Sequence, residues 1–479
     1  MLAFIPFIVL IALLVCCISV FGNATLDGAS QVALIIASGV CVLIGWGTKR
    51  LSWENLEKNM TSKVANCTPS IIILLLIGAI GGTWMVSGIV PTMIYYGLQI
   101  LSPQWFLVST CLICALISLL IGSSWTTIAT VGVALLGIGK ALGFSDGWTA
   151  GAIISGAYFG DKLSPLSDTT VLASSVVGTP LFTHIKYMIQ TTVPTFIVTL
   201  VIFFVSGLMM DVSGTGDVSL FMVGLARTFV ISPWLLLVPL VMGVMIARRW
   251  PSLVVLFLAV LIAAIVALIV QPERVREISN GGQTGFLGLY EGVMRACYDS
   301  TFISTGVEEL DKLVSTRGMG GMMPTVWLII SAQVFAGALT ASGQLEDIMN
   351  YFKRFVKGTT SLVGTTVGSA IFLNVTTADQ FLSIILTSSM FKGLYEGMGY
   401  EKRLLSRSCE DGGTVTSVLV PWNTCGLTQS TVLGVATITY LPYCFFNLLS
   451  PFVSVLVAAV GWKIENKNNE SSKITKAPQ

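Results

Sequence analysis

The stretch Gly160-Asp161-Lys162-Leu163-Ser164-Pro165-Leu166-Ser167-Asp168-Thr169-Thr170 sets two carboxylates seven residues apart around a proline, within an otherwise apolar run from Trp148 to Gly178. Proline lacks a backbone N–H and clashes with the preceding turn, so a helix entering this stretch must kink or break. A charged side chain at the centre of a bilayer costs from ~2.5 to more than ~10 kcal/mol, so acids there are functional or paired. Lys162 offers the structural explanation, an ion pair with Asp161. The functional explanation is a carboxylate that binds a cation or a proton.

The remainder of the chain argues for a membrane setting. Of 479 residues, 54% are apolar and 10% charged, and the mean hydropathy is +0.84; soluble domains carry roughly 25% charged residues. A net charge of +2, from 26 Lys and Arg against 24 Asp and Glu, leaves no basic surface for nucleic acid and no acidic tail. Apolar segments of about 20 residues cross ~30 Å of hydrocarbon, and the length allows about a dozen of them. The fold class is an all-α polytopic membrane protein surrounded by lipid. Ten cysteines lie mostly inside apolar stretches, where a thiol packs as a small hydrophobe, so no disulfide framework is expected. Cys111 and Cys114 share the spacing of a redox motif, but no second pair or histidine cluster accompanies them. No metal-ligand cluster and no cofactor motif is found. The N-terminal apolar run lacks a positive leading segment and a small-residue cleavage site, and is expected to remain as a span.

Plain spanning helices are expected at Leu2 to Phe21, Ala29 to Gly47, Pro69 to Gly97, Tyr187 to Met210, Thr228 to Ala247, Trp250 to Gln271 and Gly318 to Leu345. Lys49, Arg50, Lys58, Lys63, Arg248 and Arg249 read as cytoplasmic, and the connection holding Asp211 and Asp217 as external. The N-terminus and the polar tail from Lys463 to Gln479 then lie inside. The mixed-charge segment from Gln271 to Arg317 reads as a long external segment with an interfacial helix.

Two half-proteins are suggested by a shift of 250 residues, which sets Ser124-Trp125-Thr126-Thr127 against Asn374-Val375-Thr376-Thr377 and Asp161 against Asp411. A further slip of five brings Asp168-Thr169 onto Asn423-Thr424, each after a proline, Pro165 or Pro421. With the loop charges above, the halves run oppositely through the membrane. The expected division is an N-terminal repeat at 1–217, connecting helices and a long loop at 218–322, an inverted C-terminal repeat at 323–462 and a cytoplasmic tail at 463–479.

Unwound backbone inside a bilayer is tolerated only where protein or a water-filled cavity satisfies it, so polar motifs at helix breaks mark candidate sites. There are four. Gly122 to Thr130 resembles the tip of a re-entrant hairpin, with Ser124, Thr126 and Thr127 as neutral oxygen ligands; Asn374 to Gln380 is its counterpart, with Asn374, Thr376 and Thr377. The segment from Gly160 to Thr170 supplies Asp161, Ser167, Asp168 and Thr169. Glu410-Asp411-Gly412-Gly413-Thr414, leading to Pro421-Trp422-Asn423-Thr424, supplies Asp411, Asn423 and Thr424, with Glu410 read as a charge at the cytoplasmic end. Asp379, between uncharged runs, is expected to be deep. Hydroxyl and amide oxygens replace part of a small cation's hydration shell, and they equally satisfy helix ends.

The Gly160–Thr170 segment together with Ser-Trp-Thr-Thr resembles the NhaC family of sodium/proton antiporters, within the ion transporter superfamily. The resemblance implies inverted repeats with two re-entrant hairpins and two broken helices, a homodimer in a bacterial cell membrane, and Na+ bound at the same acids that take H+. Relatives that exchange malate and lactate leave open a second cargo, a small carboxylic acid moved with Na+ and H+, for which Lys162 and His184 are the cationic candidates; His184 is expected in a cytoplasmic loop. An ion channel stays open as a third class. An intramembrane aspartyl protease is disfavoured because Tyr158 stands where its Gly-x-Gly-Asp motif needs glycine. A serine hydrolase lacks a partner for the sole histidine, His184.

Overall fold

The computed structural model describes residues 2–21, 28–210, 218–248, 250–279 and 285–464. The connection holding Asp211 and Asp217, Arg249 and the tail beyond residue 464 lie outside the described residues. Helices α1 (Ile5–Phe21), α2 (Ala29–Gly47), α3 (Trp53–Asn66), α4 (Thr68–Val86) and α5 (Ile89–Ile100) lead into the central pair α6 (Pro103–Ile121) and α7 (Ser124–Thr127). A π-helical turn (Ile128–Gly132) joins α7 to α8 (Val133–Ala141). Then come α9 (Asp146–Leu163), α10 (Asp168–Val177) and α11 (Leu181–Met209). The middle of the chain forms α12 (Val218–Thr228), α13 (Leu237–Ala247), α14 (Ser252–Val270), α15 (Pro272–Ile278), α16 (Phe286–Tyr298) and α17 (Glu308–Val314). The last part forms α18 (Met323–Ala341), α19 (Gln344–Lys353), α20 (Thr359–Thr377), α21 (Gln380–Gly397) and α22 (Lys402–Cys409), a second π turn (Glu410–Thr414), then α23 (Thr424–Leu433), α24 (Thr437–Tyr440) and α25 (Phe445–Val460).

Among the described residues, seven helices are long and apolar enough to cross a membrane, or nine if two bent pairs are each one span. The bends, 92° between α12 and the segment ending at Ile246 and 55° between Thr437–Tyr443 and α25, fall outside the two breaks read from sequence. The span expected from Pro69 to Gly97 is in fact two helices. Gly88 breaks it at φ +81, where a side chain is strained. The expected span from Thr228 to Ala247 is also interrupted, at Ser232-Pro233, and Gln271 clasps this break by donating to Val230 O (3.1 Å) and accepting from Val230 N–H (3.2 Å). In the segment from Gln271 to Arg317, Thr305 donates its N–H and hydroxyl to Asp311 Oδ1 at 2.5 and 2.6 Å, which holds the Asp311 carboxyl below its ordinary range.

The most extensive helix–helix packing is between α6 and α9, and glycine makes its close approach possible. A Cβ on Gly156 would stand 2.1 Å from Cys111 O, and one on Gly160 would stand 2.3 Å from Ala115 O. The pair is a small-xxx-small motif, which lets helix backbones touch where lipid removes the hydrophobic drive for association. Ser118 Oγ donates across this contact to Ala157 O at 2.6 Å.

Local geometry recurs at a separation of 256 residues. Gly122 and Ala378 both adopt left-handed backbone (φ +73 and +53), and the next residues, Ser123 and Asp379, both cap the following helix. Ser167 and Asn423 cap α10 and α23. Gly178 and Gly434 end those helices at φ +80 and +65. Packing exchanges partners in the same way: α10 lies on α21, and α23 lies on the first π turn and α8. The 250-residue offset is therefore not the one the backbone repeats. It matches residue types, but Ser124–Thr127 opens the second arm of one hairpin whereas Asn374–Thr377 closes the first arm of the other.

Replacing Gly156 or Gly160 with valine is expected to destabilise the protein by about 1–3 kcal/mol through overpacking, seen as a lower melting temperature of the detergent-purified chain. Gly393→Val, at a helix position with open space around it, serves as the control and is expected to shift melting far less; equal shifts at all three positions contradict the close α6–α9 contact.

Candidate functional site

Asp161 and Lys162 close α9, and Ser164-Pro165-Leu166 separates them from α10. Adjacent helix residues point roughly 100° apart, so the two charges leave α9 in different directions. Asp161 Oδ2 accepts from the N–H (3.1 Å) and hydroxyl (2.7 Å) of Ser124, the first residue after the hairpin turn. Ser167 Oγ and Thr169 Oγ1 share a hydrogen bond of 3.0 Å in the break, and Thr170 Oγ1 donates to Lys162 O at 3.1 Å. A buried carboxylate thus sits where a helix break meets a hairpin tip, held by Ser124 across the fold, with the Ser167 and Thr169 hydroxyls close to it in the chain. Asp168 does not join them. It is exposed on the first turn of α10, where a negative charge favours the helix N-terminus.

The pairing of Lys162 with Asp161, the structural alternative that the sequence offered, does not occur. Lys162 Nζ is ion-paired with Asp411 Oδ1, and both side chains are wholly buried. Thr191 and Ser450 hydroxyls also approach Asp411 Oδ1, at 3.3 and 3.4 Å, and Arg407 Nε lies 3.8 Å from Oδ2. The Arg407 guanidinium covers the ring of Tyr187, 5.0 Å from its centroid. His184 is in α11 and fully buried, not in a loop, and Glu410 is fully buried as well. Thr191 and Ser450 were missed because they reach Asp411 from helices distant in the chain. Arg407 alone left a local signal, the i,i+4 spacing to Asp411 on a turn that continues α22.

The second hairpin and second break are tied together through Asn374. Its Nδ2 donates to Gly413 O (2.6 Å) and Thr416 Oγ1 (3.0 Å), while Asn423 Nδ2 donates to Asn374 O (3.0 Å). Trp422 Nε1 donates to Val375 O (2.7 Å), and Thr424 N–H donates to Ala378 O (2.9 Å), so the break closes over the hairpin tip. Thr424 Oγ1 lies 3.5 Å from Asn423 Oδ1. Other predicted ligands serve their own helices. Thr127 Oγ1 donates to Ser123 O (2.9 Å), Thr126 Oγ1 pairs with Ser123 Oγ (3.1 Å), and Thr376 and Thr377 hydroxyls donate to Leu373 O (3.3 and 2.9 Å). Asp379 is buried in the protein, and its Oδ1 accepts from Leu382 N–H (2.9 Å) as the cap of α21. Among the described residues, no three His, Cys, Asp or Glu converge as a metal-binding group. A cavity of about 460 Å³ touches the first hairpin at Thr126 and Thr130, and its other walls are largely apolar, from α6 and α13.

The predicted site residues therefore do not form one pocket. They divide between a carboxylate–hydroxyl group at Asp161, an amide–carbonyl group at Asn374 and Asn423, and the ion pair of Lys162 and Asp411.

Comparison with known proteins places the chain among transporters. Residues 156–462 match the model of the Na+/H+ antiporter family. The chain is 37% identical over 438 residues to the Na+/H+ antiporter NhaC of Alkalihalophilus pseudofirmus, covering 91% of this chain and 92% of that one. It is 34% identical over 410 residues to NhaC of Bacillus subtilis, covering 85% and 87%. It is 32% identical over 456 residues to the malate-2H+/Na+-lactate antiporter of Bacillus subtilis, covering 94% of each.

Removing one partner of a buried ion pair strands a charge, at a cost of roughly 3–5 kcal/mol, whereas replacing both with apolar groups is far milder. Lys162→Met is accordingly expected to reduce thermal stability sharply, and Lys162→Met with Asp411→Leu to recover most of the loss. Additive losses in the double variant, measured by melting in detergent, contradict the direct pairing.

Proposed function

The chain belongs to the Na+/H+ antiporter family, a family of multi-pass membrane transporters rather than enzymes, and on that premise we propose that it exchanges cytoplasmic Na+ for external H+ by alternating access across a bacterial cell membrane. The observation that carries this reading is the buried Asp161 carboxylate, held by Ser124 at a hairpin tip and set at the break between α9 and α10. Na+ prefers hard oxygen ligands. Asp161 would supply the negative charge, with Ser124, Ser167 and Thr169 supplying neutral oxygens. The equivalent position in the other half offers Asn374, Asn423, Thr424 and the Gly412 and Gly413 carbonyls as a neutral counterpart.

Alternation follows from symmetry in this reading. Residues 1–217 and 323–462 act as inverted repeats, and the capping geometry that recurs 256 residues apart supports the pairing. Two repeats of like structure but opposite orientation give inward-open and outward-open states of similar energy. The chain acts as a homodimer. A second reading, in which a small carboxylic acid is the cargo and Na+ and H+ are coupling ions, is favoured by the 32% identity to the malate-2H+/Na+-lactate antiporter along nearly all of both chains.

In everted vesicles, added Na+ or Li+ is expected to dissipate an imposed pH gradient. Asp161→Asn is expected to lower the rate about 100-fold, and Ser124→Ala to raise the Na+ concentration for half-maximal rate about tenfold, the loss of one charge-assisted hydrogen bond of ~1.4 kcal/mol. Sodium movement that depends strictly on an added carboxylic acid overturns inorganic exchange in favour of the second reading.

A further inference from the structure

The cavity of about 460 Å³ beside the first hairpin plays no part in the cation site. Trp84, Ile117, Thr126 and Thr130 form its inner wall, whereas Leu120, Leu240 and Val244 on its rim are exposed, so it opens sideways from the helix bundle. A second hollow of about 210 Å³ shares Leu240 and Val244 with it and continues along α13 to Arg248 and Trp250. The two form one groove that starts at the hairpin and ends at a cation and an indole. Helix α13 has 11 residues and rises about 16 Å, close to half of the ~30 Å hydrocarbon thickness. Of the residues lining the two hollows, Arg248 alone is charged. It is exposed, and no ion pair among the described residues engages it. The charge of its loop gives this end of the groove the cytoplasmic side.

We propose that the groove binds one anionic phospholipid of the cytoplasmic leaflet, with the phosphate at Arg248 and Trp250 and one acyl chain lying along α13 so that its end meets Thr126 and Thr130. The length fits, since the groove reaches through one leaflet, as a single acyl chain does. The chemistry fits as well: the walls are largely apolar, and the one charge stands where a headgroup lies, beside an indole, the side chain favoured at that depth. A lone cation attracts an anionic headgroup and gives a neutral one no such advantage. Lipid tails are the surrounding medium, so an apolar groove open to them fills with hydrocarbon, and its walls regain the dispersion contacts that a void forfeits. The far end of the chain matters to the cation site. Thr126 follows Ser124 by two residues in α7, and Thr130 Oγ1 donates to Thr126 O at 2.7 Å. The surface that the lipid supports is therefore the hairpin arm that presents Ser124 to Asp161, and bound lipid braces that arm.

The test uses the full-length chain. Detergent-purified protein is titrated with radiolabelled phosphatidylglycerol or phosphatidylcholine, and the lipid retained through gel filtration is counted. Phosphatidylglycerol is expected to bind about fivefold more tightly than phosphatidylcholine, and Arg248→Gln to remove most of that preference, the effect of one basic contact to an anionic headgroup. Gly243 lines the cavity, and a Cβ there meets nothing within 4 Å. Gly243→Phe accordingly fills the groove without moving the backbone and is expected to lower phosphatidylglycerol binding about tenfold. Leu240→Trp, at an exposed position of the same wall, replaces it should Gly243→Phe not yield monodisperse protein. Gly39→Phe, at an exposed position of α2 with open space around it, is the control and is expected to bind as the wild type does. Equal binding of the two lipids by the wild-type protein overturns the proposal, as does unchanged binding in the groove variant. A groove variant that changes the mass of the oligomer while binding lipid normally also overturns it, and makes this face a contact between copies of the chain. In vesicles of phosphatidylcholine alone, Na+-driven proton movement is expected to be at least threefold slower than in equal parts phosphatidylcholine and phosphatidylglycerol, and the difference to vanish in Gly243→Phe. Only this last readout rests on the antiport reading. An absence of Na+-driven proton movement in both vesicles sinks that reading, while lipid retention decides the site independently.

Discussion

The buried ion pair between Lys162 and Asp411 constrains everything around it. Each ion costs several kcal/mol to remove from water, and the cost is met only by close approach and by further polar contacts. Thr191 and Ser450 supply such contacts to Asp411, and Arg407 stands behind its second oxygen. The pair joins the carboxyl end of α9 to the π turn after α22, so the broken segments of the two halves cannot be placed independently. The wide turn helps here: a π turn rotates the chain relative to a regular helix, and Asp411 lies within it.

Consecutive positions on one helix end then separate the two charges. Asp161 is left free to meet the hairpin tip because Lys162 is engaged elsewhere. The same logic accounts for the small residues nearby. Gly156 and Gly160 bring α6 within backbone contact of α9, and α6 delivers the turn at Gly122-Ser123 that presents Ser124 to Asp161. At the second break, a hub of amides replaces the carboxylate. Asn374 and Asn423 satisfy carbonyls that a broken helix exposes, which is what allows irregular backbone to persist in an apolar surrounding. The two breaks thus share their capping geometry and differ in charge, with a carboxylate at one and amides at the other.

Several features were legible in the residues themselves. Pro165 marks the first break, the tips near Gly122 and Asp379 are turns, and Asp161 with Ser124 do come together. Other expectations failed for identifiable reasons. Hydroxyls such as Thr127 and Thr377 serve their own helix backbone, the alternative use that short polar side chains always have. Asp168 was grouped with Asp161 by proximity in the chain, but it follows the break and belongs to a new helix with its own direction. His184 and Glu410 read as peripheral charges because their neighbours in sequence are polar or cationic, yet helices remote in the chain cover both.

What the sequence by itself determined is the class of solvent, the positions where helices must break and the oxygen-bearing residues at those breaks, because these follow from hydropathy, proline chemistry and local capping. The partner of each charge was decided only in three dimensions. Lys162 finds Asp411 across nearly 250 residues, and Asp161 finds Ser124 across 37, through helix directions that no local rule sets. Long-range electrostatic matching depends on which faces the packed helices present, and that is a property of the assembled fold.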